Sequence, residues 1–137
     1  MSDDNEPQLL PDVDDPVAAP FWSAAREGRL VVQRCDGCGA LRWPPLVGCP
    51  DCRSREATWI AAATTGVVWS YATYHRALHR AFAADVPYSI AVVDLDGGPR
   101  ITARVADPDD RLRVGAPVVV SFERITDEIT IPRWTLH

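Results

Sequence analysis

Cys35-Asp36-Gly37-Cys38-Gly39, followed by Cys49-Pro50-Asp51-Cys52 with ten residues between Cys38 and Cys49, is the stretch that decides how this chain folds. These are the only four cysteines in 137 residues, and both pairs share the Cys-x-x-Cys spacing. Two thiolates so spaced reach one ion from a single tight turn, and two such turns supply the tetrahedral sulfur set of structural zinc. Gly37 and Gly39 flank the second ligand of the first turn, where amides fold back toward the sulfurs and positive φ is cheap only for glycine. Pro50 preorganises the second turn. Cys35, Cys38, Cys49 and Cys52 are therefore the expected metal ligands. Four protein thiolates close the shell, so no bound water is left to activate and the site reads as structural. Zinc and rubredoxin-like iron both fit four thiolates. Disulfides are the alternative and would need an oxidising compartment. The opening residues Met1–Glu6 show neither the basic nor the apolar region of a secretory signal, and no stretch approaches the length of a membrane span. A cytoplasmic protein with reduced thiols and no membrane partner is expected.

Upstream, residues 1–19 hold Asp3, Asp4, Glu6, Asp12, Asp14 and Asp15 with no base, and read as an acidic flexible tail. The remaining 13 acids face 14 bases, so the formal charge of −5 belongs to that tail. Pro20-Phe21-Trp22-Ser23-Ala24-Ala25-Arg26-Glu27-Gly28 reads as a short helix, with Pro20 in its first turn and Gly28 as its stop. A helix of two turns is marginal unless its apolar face packs on something. Leu30–Arg34 is a lead-in strand delivering Cys35, which gives a helix-and-strand segment over 20–34 and a zinc ribbon over 35–56.

Downstream, the pattern turns to aromatic and β-branched runs over 57–137: Ala57–Ile60, Gly66–Tyr74, Tyr88–Leu95, Arg100–Val105, Val118–Phe122 and Ile129–Trp134. Asp96-Gly97-Gly98-Pro99 is a hairpin signal between two of them. Five or six strands joined by short turns, with no long helical period, predict a small antiparallel barrel of OB type. The fold class is mainly β.

The inventory for chemistry is sparse. All 14 basic residues are arginine, so a lysine Schiff base is excluded; no serine stands in a Gly-x-Ser-x-Gly elbow, and neither HExxH nor a phosphate-binding Gly-rich loop is present. No catalytic residue is expected. His75 and His79 would share a face if their segment were helical. With Arg76 and Arg80, they occupy a loop where OB folds bind ligands, so His75, Arg76, His79 and Arg80 are candidates for a phosphate-bearing cofactor or a channel lining. A solvated loop is the plainer alternative. Among five tryptophans, Trp22 on the short helix and Trp134 near the C-terminal end have the least obvious cores. With Phe21 they are candidate interface residues.

The order Phe21-Trp22, Cys35 to Cys38, Cys49 to Cys52, Gly66 to Tyr71, Tyr88 to Gly97 and Val114 to Val118 resembles a family of zinc-ribbon plus OB-fold proteins, domain of unknown function 35. The resemblance covers about residues 20 to 125. It implies a non-catalytic accessory subunit in a hetero-oligomer with a thiolase-like, lipid-transfer-type aldolase or an acyltransferase. That assembly would act on an acyl-CoA, steroid side chains included, with this subunit stabilising its partner and helping to form the acyl-CoA site. A stand-alone acyl-CoA-binding protein is the alternative. A single-stranded nucleic-acid-binding OB protein is a lesser one, disfavoured by the net negative charge.

Overall fold

The computed structural model describes residues 10–137. One short helix, α1 (Ala19–Arg26), precedes eight strands: β1 (Val31–Cys35), β2 (Leu41–Arg42), β3 (Ala57–Ala61), β4 (Thr65–Tyr74), β5 (Tyr88–Leu95), β6 (Arg100–Ala106), β7 (Pro117–Arg124) and β8 (Thr130–Leu136). The first three form a sheet in the order β2-β1-β3, and the last five close a barrel in the order β4-β5-β6-β8-β7. Nine residues of the expected acidic tail lie outside the described region. From Leu10 onward the chain forms turns that lead into α1, with the Asp15 carbonyl accepting from the amides of Ala18 and Ala19.

Gly28 ends α1 as its position suggested. At φ +73°, it lets its own amide reach the Ala25 carbonyl while the Arg29 amide reaches that of Ala24, the paired bonds of a Schellman cap. Phe21, Ala24 and Ala25 are buried on the inner face, and α1 packs on β1 and β8. That packing supplies what a helix of eight residues lacks alone.

Two readings of the strands change. Ala57–Ala61, expected to open the barrel, instead pairs antiparallel with β1, from Val31 opposite Ala61 to Cys35 opposite Ala57. It thus completes the ribbon sheet. The barrel is also not wholly antiparallel: β6 and β8 run parallel where Val105 meets Trp134 and Ala106 meets Thr135. Gly66 is what permits β4 to lie against β5. A Cβ there would stand 2.4 Å from the Asp94 carbonyl oxygen and 2.9 Å from the Leu95 Cα.

One continuous core fills the molecule. Phe21, Leu30 and Val32 from the helix and ribbon join Val68, Val93, Ile101, Val118, Trp134 and Leu136 from the barrel. Trp134 is fully buried, its indole N–H donating to the Ala91 carbonyl at 3.2 Å. Strand β8 lies between β6 and β7 and turns this side chain inward, so Trp134 is a core residue and not part of an interface. Phe21 likewise belongs to the core. Trp22 is partly buried, meeting Phe21 edge-on at 5.0 Å between ring centres while bordering a surface groove with Ser23, Arg26 and Glu128.

Candidate metal centre and surface clefts

The two cysteine turns have the same construction. In the first, the Cys35 amide donates to the Ala40 carbonyl and the Gly39 amide returns to the Cys35 carbonyl; in the second, Cys49 and Ser54 pair likewise and the Arg53 amide returns to Cys49. The returning residue has positive φ in both cases, +80° at Gly39 and +67° at Arg53. Gly37 has a different use: a Cβ there would approach the Cys52 sulfur to 3.1 Å, so its bareness lets the second turn close on the first.

This pairing brings Cys35, Cys38, Cys49 and Cys52 together with all four sulfurs within 4.8 Å of one another. The cross-turn separations are 3.4 Å for Cys35 to Cys52 and 3.7 Å for Cys38 to Cys49, and the thiols are unbridged. A tetrahedral ion with metal–sulfur bonds of ~2.3 Å needs edges of about 3.8 Å, so the donor set fits a structural metal. Electrostatics point the same way. The amide of Cys38, burial, the Cys52 thiol and the Gly37 amide act together on the Cys35 thiol, and the amides prevail to hold it at about 6. Cys38, despite the Ala40 amide, is pushed up to about 12 by Cys49 and by burial. The amides of Cys52 and Asp51 lower Cys49; Cys52, despite the Ser54 amide, is raised by Cys35. Within each cross-turn pair one thiol is lowered and the other raised, and a cation is what would favour the thiolate at all four.

The polar residues behind the centre are tightly knit. Gln33 and Arg42, both buried, bond to each other at 2.8 Å and together hold Leu46 by its amide and carbonyl. This clamps the segment between the two turns.

The loop candidates are dispersed. His75 and Arg76 lie in a bend, and Arg80 opens a 3-10 turn over Arg80–Phe82 instead of a helix, so the two histidines share no helical face. The His79 Nδ1 accepts the Ala81 amide at 3.0 Å and serves as that turn's cap. All four side chains are exposed, and neither Arg76 nor Arg80 meets a carboxylate among the described residues. The loop does reach a cleft, but with its second half. Below their parallel contact, β6 and β8 separate, leaving an opening of about 470 Å³ lined by Phe82, Tyr88, Ile90, Arg104, Ile131 and Arg133. Arg104 lies over Tyr88 at 4.3 Å and pairs with Asp85 at 3.1 Å, while Arg133 pairs with Glu123 at 2.8 Å. Sequence reasoning missed this cleft, because its groups converge from four separate elements. The one signal was the outward register of Arg104 on an alternating strand.

Comparison with known proteins agrees with this architecture. A profile for the rubredoxin-like zinc ribbon domain of ChsH2 matches residues 22–57, and one for the C-terminal OB-fold domain of ChsH2 matches residues 59–123. Over 114 residues the chain is 41% identical to a probable enoyl-CoA hydratase alpha subunit of Thermomonospora curvata, covering 82% of this chain but 35% of that protein, about a third of its length. A DUF35 domain-containing scaffold protein of Methanocaldococcus jannaschii is 34% identical over 102 residues, covering 72% of this chain and 71% of the relative. Among solved structures, an Ltp2-ChsH2(DUF35) aldolase chain superposes with a TM-score of 0.80 at 35% identity, covering 92% of this chain and 98% of that one. A DUF35 protein of unknown function from Sulfolobus solfataricus, at 14% identity and a TM-score of 0.64 over 90% of this chain and 87% of its own, shares the fold. A rubredoxin-like ribbon, an OB barrel with its parallel closing pair and these likenesses converge: the chain belongs to the DUF35 family, with a ribbon and barrel of the ChsH2 type.

Proposed function

We propose that this protein is a non-catalytic accessory subunit of a thiolase-like enzyme that cleaves or transfers an acyl group on a CoA thioester. The observation that carries this reading is the match of nearly the whole chain to the ChsH2(DUF35) component of an aldolase. In support, the described residues that cluster as metal ligands are the four cysteines, a closed shell with no vacancy for substrate. The partner would supply the catalytic bases; this chain would stabilise it and complete the acyl-CoA site, with steroid side chains as one substrate class. Arg76 and Arg80 are exposed cations on the loop that also carries His75 and His79, and these four residues are suited to the CoA phosphates. Trp22 is the interface residue retained from the sequence reading.

The metal in this proposal is zinc, whose preferred tetrahedral sulfur shell the four thiolates reproduce. Elemental analysis of protein from native cells decides between zinc and iron. Co-purification on a tagged copy tests the assembly: a thiolase-like protein at near-equal amount is expected, and isolation of the chain alone with its metal bound would sink the reading. The likeness to a hydratase subunit gives a second reading, in which the co-purifying protein is an enoyl-CoA hydratase. In a thiolase-like complex, Trp22→Ala is expected to weaken association at unchanged metal content.

A further inference from the structure

Strand β4 is longer than the barrel wall it helps to close. Its ten residues pair with β5 along nearly their full length, but with β7 only over Thr65–Val67, extended by bonds between Val68 and the carbonyl of Ala116 and amide of Gly115. A bulge between Val68 and Ser70 then turns the strand away. From Trp69 to Tyr74 one edge has β5, and among the described residues no backbone hydrogen bond joins the other. Trp69, Ser70, Tyr71, Ala72 and Thr73 are all exposed.

The ladder's parity shows which groups are open. The Asp96 amide bonds to the Thr65 carbonyl, so the even-numbered residues of β5 face β4. Their partners beyond the bulge are Ser70, Ala72 and Tyr74. The amides and carbonyls of Tyr71 and Thr73 therefore point to the open side, two donors and two acceptors at the spacing of an antiparallel ladder. Beside them runs a groove of about 410 Å³ whose lining includes Tyr71, Thr73 and His75 on one side and Asp109, Asp110 and Leu112 on the other. Asp109 is neutralised by Arg111 at 2.8 Å, while Asp110, which lines the groove, meets no base among the described residues; Asp107 and Arg113, at the two ends of the same loop and outside the lining, offset each other. The wall opposite the edge is thus net acidic. A long open edge with exposed aromatics is a template for strand addition unless something covers it.

We propose that this edge is a docking site for an extended basic segment of a partner polypeptide, which adds as a strand along Tyr71 and Thr73 with an arginine or lysine toward Asp110. Main-chain bonds give the register, and the acidic wall selects the charge. The site is separate from the metal centre, and at its far end it shares His75 with the loop that carries Arg76 and Arg80.

The full chain with its metal, titrated with a capped peptide of three arginine–valine repeats, tests this by amide hydrogen exchange. Exchange at Tyr71 and Thr73 is expected to slow at least tenfold, while Ser70 and Ala72, already held by β5, change little. Tyr71→Pro removes an outward amide without touching the β4–β5 ladder, a place where proline is tolerated, and is expected to lower peptide affinity at least tenfold. Asp110→Arg keeps the edge and is expected to abolish the preference for arginine–valine over glutamate–valine repeats. Absence of protection at Tyr71 and Thr73, or equal binding of the acidic peptide to the unaltered chain, would overturn the proposal. So would protection that rises with protein concentration and no peptide, which would make the occupant a second copy.

Discussion

Replacing Trp134 by phenylalanine separates a core role from an interface role most cleanly. The indole is fully buried and donates to the Ala91 carbonyl at 3.2 Å. Phenylalanine leaves a void of roughly 40 Å³, which at about 24 cal/mol per Å³ costs about 1 kcal/mol. Loss of the indole bond adds about 1 kcal/mol. The total of about 2 kcal/mol corresponds to a fall in melting temperature of about 8 °C for a chain of this size. Urea and thermal melts should be run with metal in fixed excess, because metal released on unfolding shifts apparent stability by mass action. A fall below about 2 °C, which by the same scaling is well under 1 kcal/mol, would refute the packing argument. So would a variant that melts normally yet fails to associate with its partner.

Gly66→Ala forces a Cβ against the backbone of β5 at Asp94 and Leu95; a loss of about 2 kcal/mol or more is expected, read as a lower urea midpoint. Arg53→Gly should do the opposite. It relieves about 1 kcal/mol of left-handed strain, partly offset by the chain entropy of glycine, so metal should leave more slowly in a chelator competition. Cys38→Ser is expected to remove the metal, measured by elemental analysis, and to unfold the ribbon. The Asp109 carboxyl, held at about 2 by its bonds from Arg111, lies below its unfolded value. Its loop contact should be constant from neutral pH to about 4 and fade as pH falls through 2, a trend that Asp109→Asn would flatten in pH-dependent melts.

The ribbon was legible because its ligands are residues whose spacing is itself the geometry. Gly28 was legible because a helix stop has a local backbone requirement, and Asp96 to Pro99 because a hairpin turn does. What escaped were pairings. A run such as Ala57–Ala61 announces a strand but not its neighbour, and here β1 takes it because Cys35 must stand opposite Ala57 for the two cysteine turns to meet. The parallel contact of β6 with β8 joins segments far apart in the chain, with no local signature. Trp134 has no obvious core in the sequence and stands there as a candidate interface residue because it lies close to the C-terminal end, yet its strand sits between two others. The pairs Asp85 with Arg104 and Glu123 with Arg133 come from loop and strand positions that no spacing rule connects.

Leu30 and Val32, on the strand that delivers Cys35, share their packing with Val68, Val93 and Trp134 of the barrel. The ribbon and barrel are therefore one cooperative unit and not two beads on a string. Stripping the metal would be felt as softening of a barrel that holds none of the ligands, and either part transplanted alone would carry a raw apolar face where the other had been. Any exchange of such modules between assemblies has to move the helix, ribbon and barrel together.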